Sequence, residues 1–274
     1  MDGSFGLVRD CLRAGMPVAL ATVVEVVPPE DTNQVVPRLG AKLVVSPDAE
    51  PAGSLGQEDL DRVVIRDVEG ALEAGRSVAR HYGPGGEARR TDVTVFIEVF
   101  APPRRMLIFG AVDFTGALVR IAKVLGYHVT VCDPRPAFAT EARFPEADEV
   151  VVDWPHRLLA KVADGLGPLD AICVLTHDHK FDVPALLAAL DTRVGYLGAM
   201  GSRATHEGRV RLLEAEEVDP ARIQQIMAPI GIDIGARTPE ETAVSICAEI
   251  ISRHAGVQTP SLRDGSGPIH QAAS

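Results

Sequence analysis

The chain has 274 residues, a formal net charge of −11, 46% hydrophobic and 24% charged residues, and 4% aromatics. At roughly 150 residues per domain, this length predicts one large or two small domains with a sizeable core, which excludes a disordered chain. The acidic balance lacks the basic footprint of nonspecific nucleic-acid or membrane-surface binding, and so few aromatics make base stacking a poor explanation.

The first hundred residues mix helix and strand. A helix is expected at 7–14, then a strand at 17–27 rich in β-branched residues. A polar, proline-marked loop follows at 28–39 and a short strand at 41–46. Residues 59–73 predict an amphipathic helix with Leu60, Val63, Val64, Val68 and Leu72 on one face. Residues 92–100 are strand-like, and Pro102-Pro103 then breaks the chain.

Beyond the prolines, apolar strands at 106–110, 128–133, 149–153, 171–176 and 194–198 alternate with helical segments such as 117–125. Continuous apolar strands with helical crossovers predict a parallel sheet covered on both faces. The fold class is therefore α/β: a C-terminal Rossmann-like domain at 103–256 after a smaller α+β domain at 1–102. The last helix carries a capping Thr238, Pro239 at its first position, a capping-box glutamate and a closing Gly256, with Ala243, Ile246, Cys247, Ile250 and Ile251 as its apolar face. Residues 257–274, rich in Ser, Pro and Gly, are expected to form a flexible tail.

Cys11, Cys132, Cys173 and Cys247 are far apart and form no CxxC pair. Each of the last three follows an apolar residue, and they read as small buried hydrophobes in a reducing, cytoplasmic compartment. No apolar run reaches the roughly 18 residues of a membrane span, and no basic patch precedes an apolar stretch at the start, so neither span nor secretory signal is expected.

Strand, glycine, helix, strand and aspartate form the layout of a dinucleotide site: Gly110 ends one strand and Asp133, 23 residues on, ends the next. The glycine fingerprint is degraded. Val112 and Thr115 stand at its second and third positions, and Asp113 is expected to cap the following helix and repel an anion. NAD(P) is disfavoured on these grounds, and the turn at Gly110 and Ala111 serves either a ligand or the fold alone.

Ligands of open α/β sheets sit beyond the carboxyl ends of the strands. Three polar segments lie there: Thr176, His177, Asp178 and His179; Gly201, Ser202 and Arg203; and 229–236 with Gly235. His177, Asp178, His179 and Asp182 have metal-ligand chemistry, but two histidines two apart favour a turn in which Asp178 or Asp182 caps a helix. Gly201, Ser202 and Arg203 can bind an anion through backbone N–H groups and the guanidinium, or Ser202 is an ordinary helix cap. No G-x-S-x-G elbow surrounds Ser54 or Ser202, which speaks against a serine hydrolase.

Together, Gly40-Ala-Lys42, Gly53-Ser54-Leu55, the turn at Gly110, the run 129–135 ending in Asp133-Pro-Arg135, the segment 176–179, Tyr196 to Arg203 and the run 228–240 resemble the XdhC/CoxI family. The resemblance runs from about residue 15 to 255. It implies a small N-terminal domain, a C-terminal Rossmann domain, and an accessory chaperone without turnover. Such a factor would bind molybdenum cofactor, assist its sulfuration by a cysteine desulfurase, and deliver it to a molybdenum hydroxylase apoenzyme, working as a homodimer. The residues placed at the cofactor are Gly110, Ala111, Asp133, Thr176, His177, Asp178, Gly201, Ser202, Arg203 and Gly235. Many relatives carry Gly-Gly-Cys where this chain has Gln57, Glu58 and Asp59, and glycine where it has Val112 and Thr115. An NAD(P)-dependent oxidoreductase and an interaction module without cofactor are the alternatives.

Overall fold

The structure is a computed structural model that describes residues 3–14, 16–27, 36–47, 49–87, 90–176 and 178–257. The chain divides into two compact units, Met1–Pro102 and Pro103–Ser274.

The first unit is built from α1 (Gly3–Ala14), β1 (Val18–Val26), β2 (Lys42–Ser46), β3 (Ala49–Ser54), α2 (Glu58–Ala74), β4 (Val78–Tyr82) and β5 (Val93–Phe100). Its five strands form a sheet in the order β3-β2-β1-β5-β4, with every neighbouring pair antiparallel. Alternate residues point to opposite faces of a strand. Ala19, Ala21 and Val23 of β1 and Val93, Val95 and Ile97 of β5 accordingly share one core with Leu60, Val64 and Val68 of α2. Val18 and Val44 pack on the other side with Cys11 of α1. Gly75 closes α2 in the left-handed conformation, its N–H donating to the Leu72 carbonyl at 3.0 Å. Most of the proline-marked loop at 28–39, namely 28–35, lies outside the described residues.

The second unit runs β6 (Arg105–Phe109), α3 (Asp113–Val124), β7 (His128–Cys132), β8 (Glu149–Val151), α4 (Pro155–Val162), β9 (Ala171–Val174), α5 (His179–Leu190), β10 (Tyr196–Ala199), α6 (Arg203–Ala215), α7 (Pro220–Ile223) and α8 (Pro239–Ala255). Its sheet has the order β10-β9-β6-β7-β8 and is parallel throughout. This is the doubly wound order in which the direction of winding reverses between β6 and β9. Two cores lie on the two faces. Met106, Ile108, Val129, Val131 and Cys173 pack with α3 and α8, whereas Leu107, Phe109, Ile172 and Val174 pack with α4 and α5.

The expected apolar face of α8 is buried at Ala243, Ile246, Cys247 and Ile250, but Ile251 is 52% exposed and lies off it. The Thr238 hydroxyl accepts the Glu241 N–H at 3.1 Å, and the Glu241 carboxylate accepts the Thr238 N–H at 3.1 Å, completing the capping box. No helix among the described residues is long and apolar enough to cross a membrane. Of the tail predicted at 257–274, all but Val257 lies outside the described residues.

Candidate functional site

The reversal of winding places the ends of β6 and β9 side by side. Gly110 leaves β6 with φ of 114°, a conformation that L side chains rarely adopt, and its N–H donates to the Cys132 carbonyl at 2.9 Å. A Cβ at Gly110 would stand 2.7 Å from the Thr176 methyl and 3.1 Å from the Thr176 nitrogen. The glycine is therefore required by the close passage of the chain leaving β9.

The turn after Gly110 satisfies itself. The Ala111 N–H donates to Asp133 Oδ2 at 2.8 Å, and the Val112 N–H donates to Thr115 Oγ1 at 3.2 Å. The same Thr115 hydroxyl donates to the Gly110 carbonyl at 2.5 Å. Two amides that follow the glycine are thus already bonded within the protein. The helix cap differs from expectation: Val112 is the N-cap, and Asp113 is the exposed first residue of α3 with no capping bond of its side chain. Thr115, three residues into the helix, reaches back over the turn and takes that place.

At the end of β7, Asp133 is fully buried. One oxygen accepts the Arg135 N–H at 3.0 Å and Nε at 2.8 Å; the other accepts Arg135 Nη2 at 2.8 Å and the Ala111 N–H. Burial pushes the Asp133 carboxyl upward, but the Arg135 and Ala111 donors outweigh it and hold the group below its ordinary range. The Arg135 guanidinium is raised in turn, first by its bond to Asp133 and also by the Asp178 carboxylate. Arg135 also lies 4.3 Å from the centre of the Phe138 ring. The carboxylate spaced for a ribose is in the structure a brace between the first turn and the end of β7.

The ends of β9 and β10 meet in a second buried network. The Thr176 hydroxyl donates to Asp182, which lies one turn inside α5 and is fully buried. Arg209 of α6, also fully buried, donates through Nε and Nη2 to Asp182 Oδ2 at 2.9 and 2.5 Å, and through Nη2 to the Thr176 carbonyl at 3.2 Å. Arg209 Nη1 is buried with no hydrogen-bond partner among the described residues. Next to it, Gly201 (φ 143°) leads into α6, where Ser202 Oγ accepts the Thr205 N–H at 3.1 Å as the N-cap. Arg203 is exposed at the first position of that helix. Asp178 is the N-cap of α5, accepting the Lys180 N–H at 3.0 Å, so of the two aspartates considered as caps it alone serves as one. Its neighbour His179 is exposed, and His177 lies outside the described residues.

The segment after α7 runs parallel to β10: the Ala199 N–H donates to the Met227 carbonyl at 2.9 Å and the Ile230 N–H to the Ala199 carbonyl at 3.1 Å. Glu249 of α8 anchors it, accepting the Gly231 N–H at 2.9 Å and the Tyr196 hydroxyl at 2.6 Å. Gly235 is exposed, donates to Asp233 at 3.3 Å, and has nothing within 4 Å of its Cβ direction. The structure therefore brings Gly110, Ala111, Asp133, Thr176, Asp178, Gly201, Ser202 and Arg203 to one end of the sheet, and among the described residues shows no contact that joins Gly235 to them.

All four cysteines are free and buried. Burial pushes Cys132 and Cys247 up to about 12 and Cys173 well above its ordinary value. Among the described residues no group of three or more His, Cys, Asp or Glu could hold a metal ion.

Two family models match: the XdhC Rossmann domain over residues 106–250 and the XdhC and CoxI family over residues 11–83. The chain belongs to the XdhC and CoxI family. Among curated relatives it is 33% identical over 157 residues to a probable xanthine dehydrogenase subunit of Bacillus subtilis, covering 57% of this chain and 45% of that one. It is 29% identical over 153 residues to the molybdenum cofactor insertion chaperone PaoD of Escherichia coli, covering 56% and 41%. The chain thus spans less than half the length of these curated relatives. A crystal structure described as a xanthine dehydrogenase from Bacillus halodurans superposes with a TM-score of 0.51 at 20% identity, over 95% of this chain and 98% of the other, a likeness of fold.

Asp59, which the resemblance sets against a cysteine of the family, belongs to α2. It sits in the first turn of α2, exposed, with Arg62 Nη2 2.7 Å from its carboxylate.

Sequence reasoning missed Arg209 altogether and weighed Asp182 only as a ligand or cap. Arg209 is one of three arginines in α6, and its neighbours do not distinguish it from the other two. Its partner stands 27 residues away, which no local pattern reveals.

Proposed function

We propose that the chain is an accessory factor in the maturation of a molybdenum hydroxylase. In this role it holds molybdenum cofactor at the carboxyl ends of β6, β9 and β10 and passes it to the hydroxylase apoenzyme. Membership of the XdhC and CoxI family and the kinship with a chaperone of molybdenum cofactor insertion support the reading. The geometry favours it over a nicotinamide-dependent oxidoreductase. The Ala111 and Val112 amides, the donors a pyrophosphate would use at a helix N-terminus, already bond Asp133 and Thr115.

The residues present fit the cofactor. A buried guanidinium nitrogen without a partner among the described residues lies beside a glycine turn at the same end of the sheet. Thr176, Gly201, Ser202 and Arg203 would hold the cofactor, with Asp178 at the same strand ends; His177, proposed with them, lies outside the described residues. When bound, it supplies the redox-active molybdenum on which a hydroxylase depends. The residues of this chain supply N–H and guanidinium donors, and its buried thiols offer no ligand. The chain therefore grips the organic part of the cofactor rather than its metal. A cysteine desulfurase and a second copy of the chain complete the proposed partners, and the proposed place of action is the cytoplasm.

Anaerobic purification followed by mass spectrometry of the released small molecules tests the reading. Molybdopterin is the expected species, lost in Ser202→Ala with Arg203→Ala. A nicotinamide nucleotide in its place would establish the oxidoreductase, and a chain that activates a hydroxylase with nothing bound would be an interaction module.

A further inference from the structure

Arg209 is fully buried, and its guanidinium is only half used. Nε and Nη2 are taken up by Asp182 and the Thr176 carbonyl, while Nη1 is buried with no partner among the described residues. A buried donor left unpaired keeps its full desolvation penalty, and more so when charged. Its surroundings show where it is aimed. A Cβ on Gly201 would stand 3.2 Å from Nη1 and 3.1 Å from the Thr205 methyl. Any side chain at 201 would occupy the approach to that nitrogen.

Gly201 also leads into the N-terminus of α6, a helix of 13 residues. Ser202 Oγ satisfies the Thr205 N–H, and the Ser202 carbonyl takes the His206 N–H. The Arg203 and Ala204 amides have no helical carbonyl behind them, and the helix end carries roughly half a positive charge. Arg203 adds a cation at the rim. Asp182 already offsets the charge of Arg209, so the attraction for an anion comes from the unpaired Nη1 donor, Arg203 and the helix end.

We propose that the turn at 201–204 together with Arg209 Nη1 binds a terminal phosphate monoester, with Gly201 kept bare so that a phosphate oxygen can reach the buried nitrogen. A monoester presents three oxygens to converging donors. A pyrophosphate diester would instead need the amides beyond Gly110, which are bonded to Thr115 and Asp133. The assignment rests on the proposed function only for the identity of the ligand, since molybdopterin ends in such a phosphate.

Calorimetry and thermal melting with inorganic phosphate, then AMP, then NAD, test the site directly. Inorganic phosphate and AMP should bind competitively at one site per chain, with a phosphate dissociation constant on the order of 1 mM, and NAD should not compete. Phosphate should raise the melting temperature, and chloride at matched ionic strength should not. Gly201→Ala should weaken binding about tenfold or more, because its Cβ would stand in the approach and its φ of 143° strains any side chain there. Arg203→Ala, at an exposed position, should fold normally and weaken binding several-fold. The site is overturned if phosphate stabilises no more than chloride, or if binding survives Arg203→Ala and any folded Gly201→Ala protein unchanged. NAD competing as well as AMP would overturn the monoester assignment. Cofactor retained by variants that no longer bind phosphate overturns the cofactor's phosphate as the ligand of this site and spares the accessory role; intact phosphate binding without cofactor retention supports the site and counts against that role.

Discussion

Arg209 and Asp182, 27 residues apart in sequence, meet in the interior with two guanidinium nitrogens on one carboxylate oxygen at 2.9 and 2.5 Å, both side chains fully buried. A buried pair is weak evidence for stability in itself, but removing one partner leaves an uncompensated charge. Asp182→Ala should therefore cost about 3–5 kcal/mol. At about 2–4 °C per kcal/mol, the melting temperature should fall by roughly 6–20 °C in calorimetry. Replacing both, as Asp182→Leu with Arg209→Met, should recover much of the loss. A double variant no more stable than the single one would mean that the pair is not the source of the effect.

The closed turn after Gly110 predicts poor binding of NAD. In calorimetry, NAD at up to about 1 mM should give no saturable heat with the unmodified protein. Val112→Gly with Thr115→Gly frees the amide that the Thr115 hydroxyl now occupies and should make binding measurable. Low-micromolar affinity in the unmodified protein would refute the assignment of those amides.

His206 and His254 set an acid limit on stability. Burial lowers His206 first, with Arg209 adding to it; burial lowers His254 first, with Arg104 adding to it. Both folded values lie below the ordinary 6.5. The unfolded chain thus binds more protons just below pH 6.5, and stability rises with pH there. Their contribution is fully present above pH 6.5 and is lost as pH falls from 6.5 through the folded values. Urea midpoints measured from pH 7.5 to 5.5 should decline, and His206→Gln with His254→Gln should flatten the decline. Asp133, held below its ordinary range, adds a separate loss only at more acid pH, as its carboxyl protonates.

The cysteines should be silent in the native state. With all four buried and Cys132 and Cys247 pushed up to about 12, a thiol reagent at pH 8 should titrate no thiol until denaturant is added. One rapidly reacting thiol in the folded protein would contradict that burial.

Asp59 can be tested as the residue that the resemblance sets against a cysteine of the family. It is exposed and paired with Arg62 one turn on, so substitution should change stability by no more than about 0.5 kcal/mol. The triple change to Gly-Gly-Cys at 57–59 should raise the molybdenum cofactor retained on the purified protein. Equal retention in parent and variant would place the affinity elsewhere.

Local signals were legible in the sequence. Thr238, Pro239, Glu241 and Gly256 mark the ends of α8, and β-branched or apolar runs mark β1, β5, β6, β7 and β9, because caps and buried strands are specified by neighbouring residues. The parallel, doubly wound sheet followed from the alternation of those runs with helices. Strands β3 and β4 were not legible. The run 49–54 contains Pro51 and Gly53, and 78–82 contains Arg80 and His81; they are strands because β2 and β5 offer them unpaired backbone. The site divides in the same way. Its polar strand ends could be read directly, since ligands of such sheets gather there. What each residue does there was decided by partners distant in sequence or across a turn. Arg135 turns Asp133 from the expected ribose acceptor into a brace, Thr115 closes the turn where the fingerprint has glycine, and Asp182 draws Arg209 into the interior. Arginine is almost never fully buried unless paired, so only the tertiary fold, by bringing α5 against α6, could place that charge beneath the strand ends.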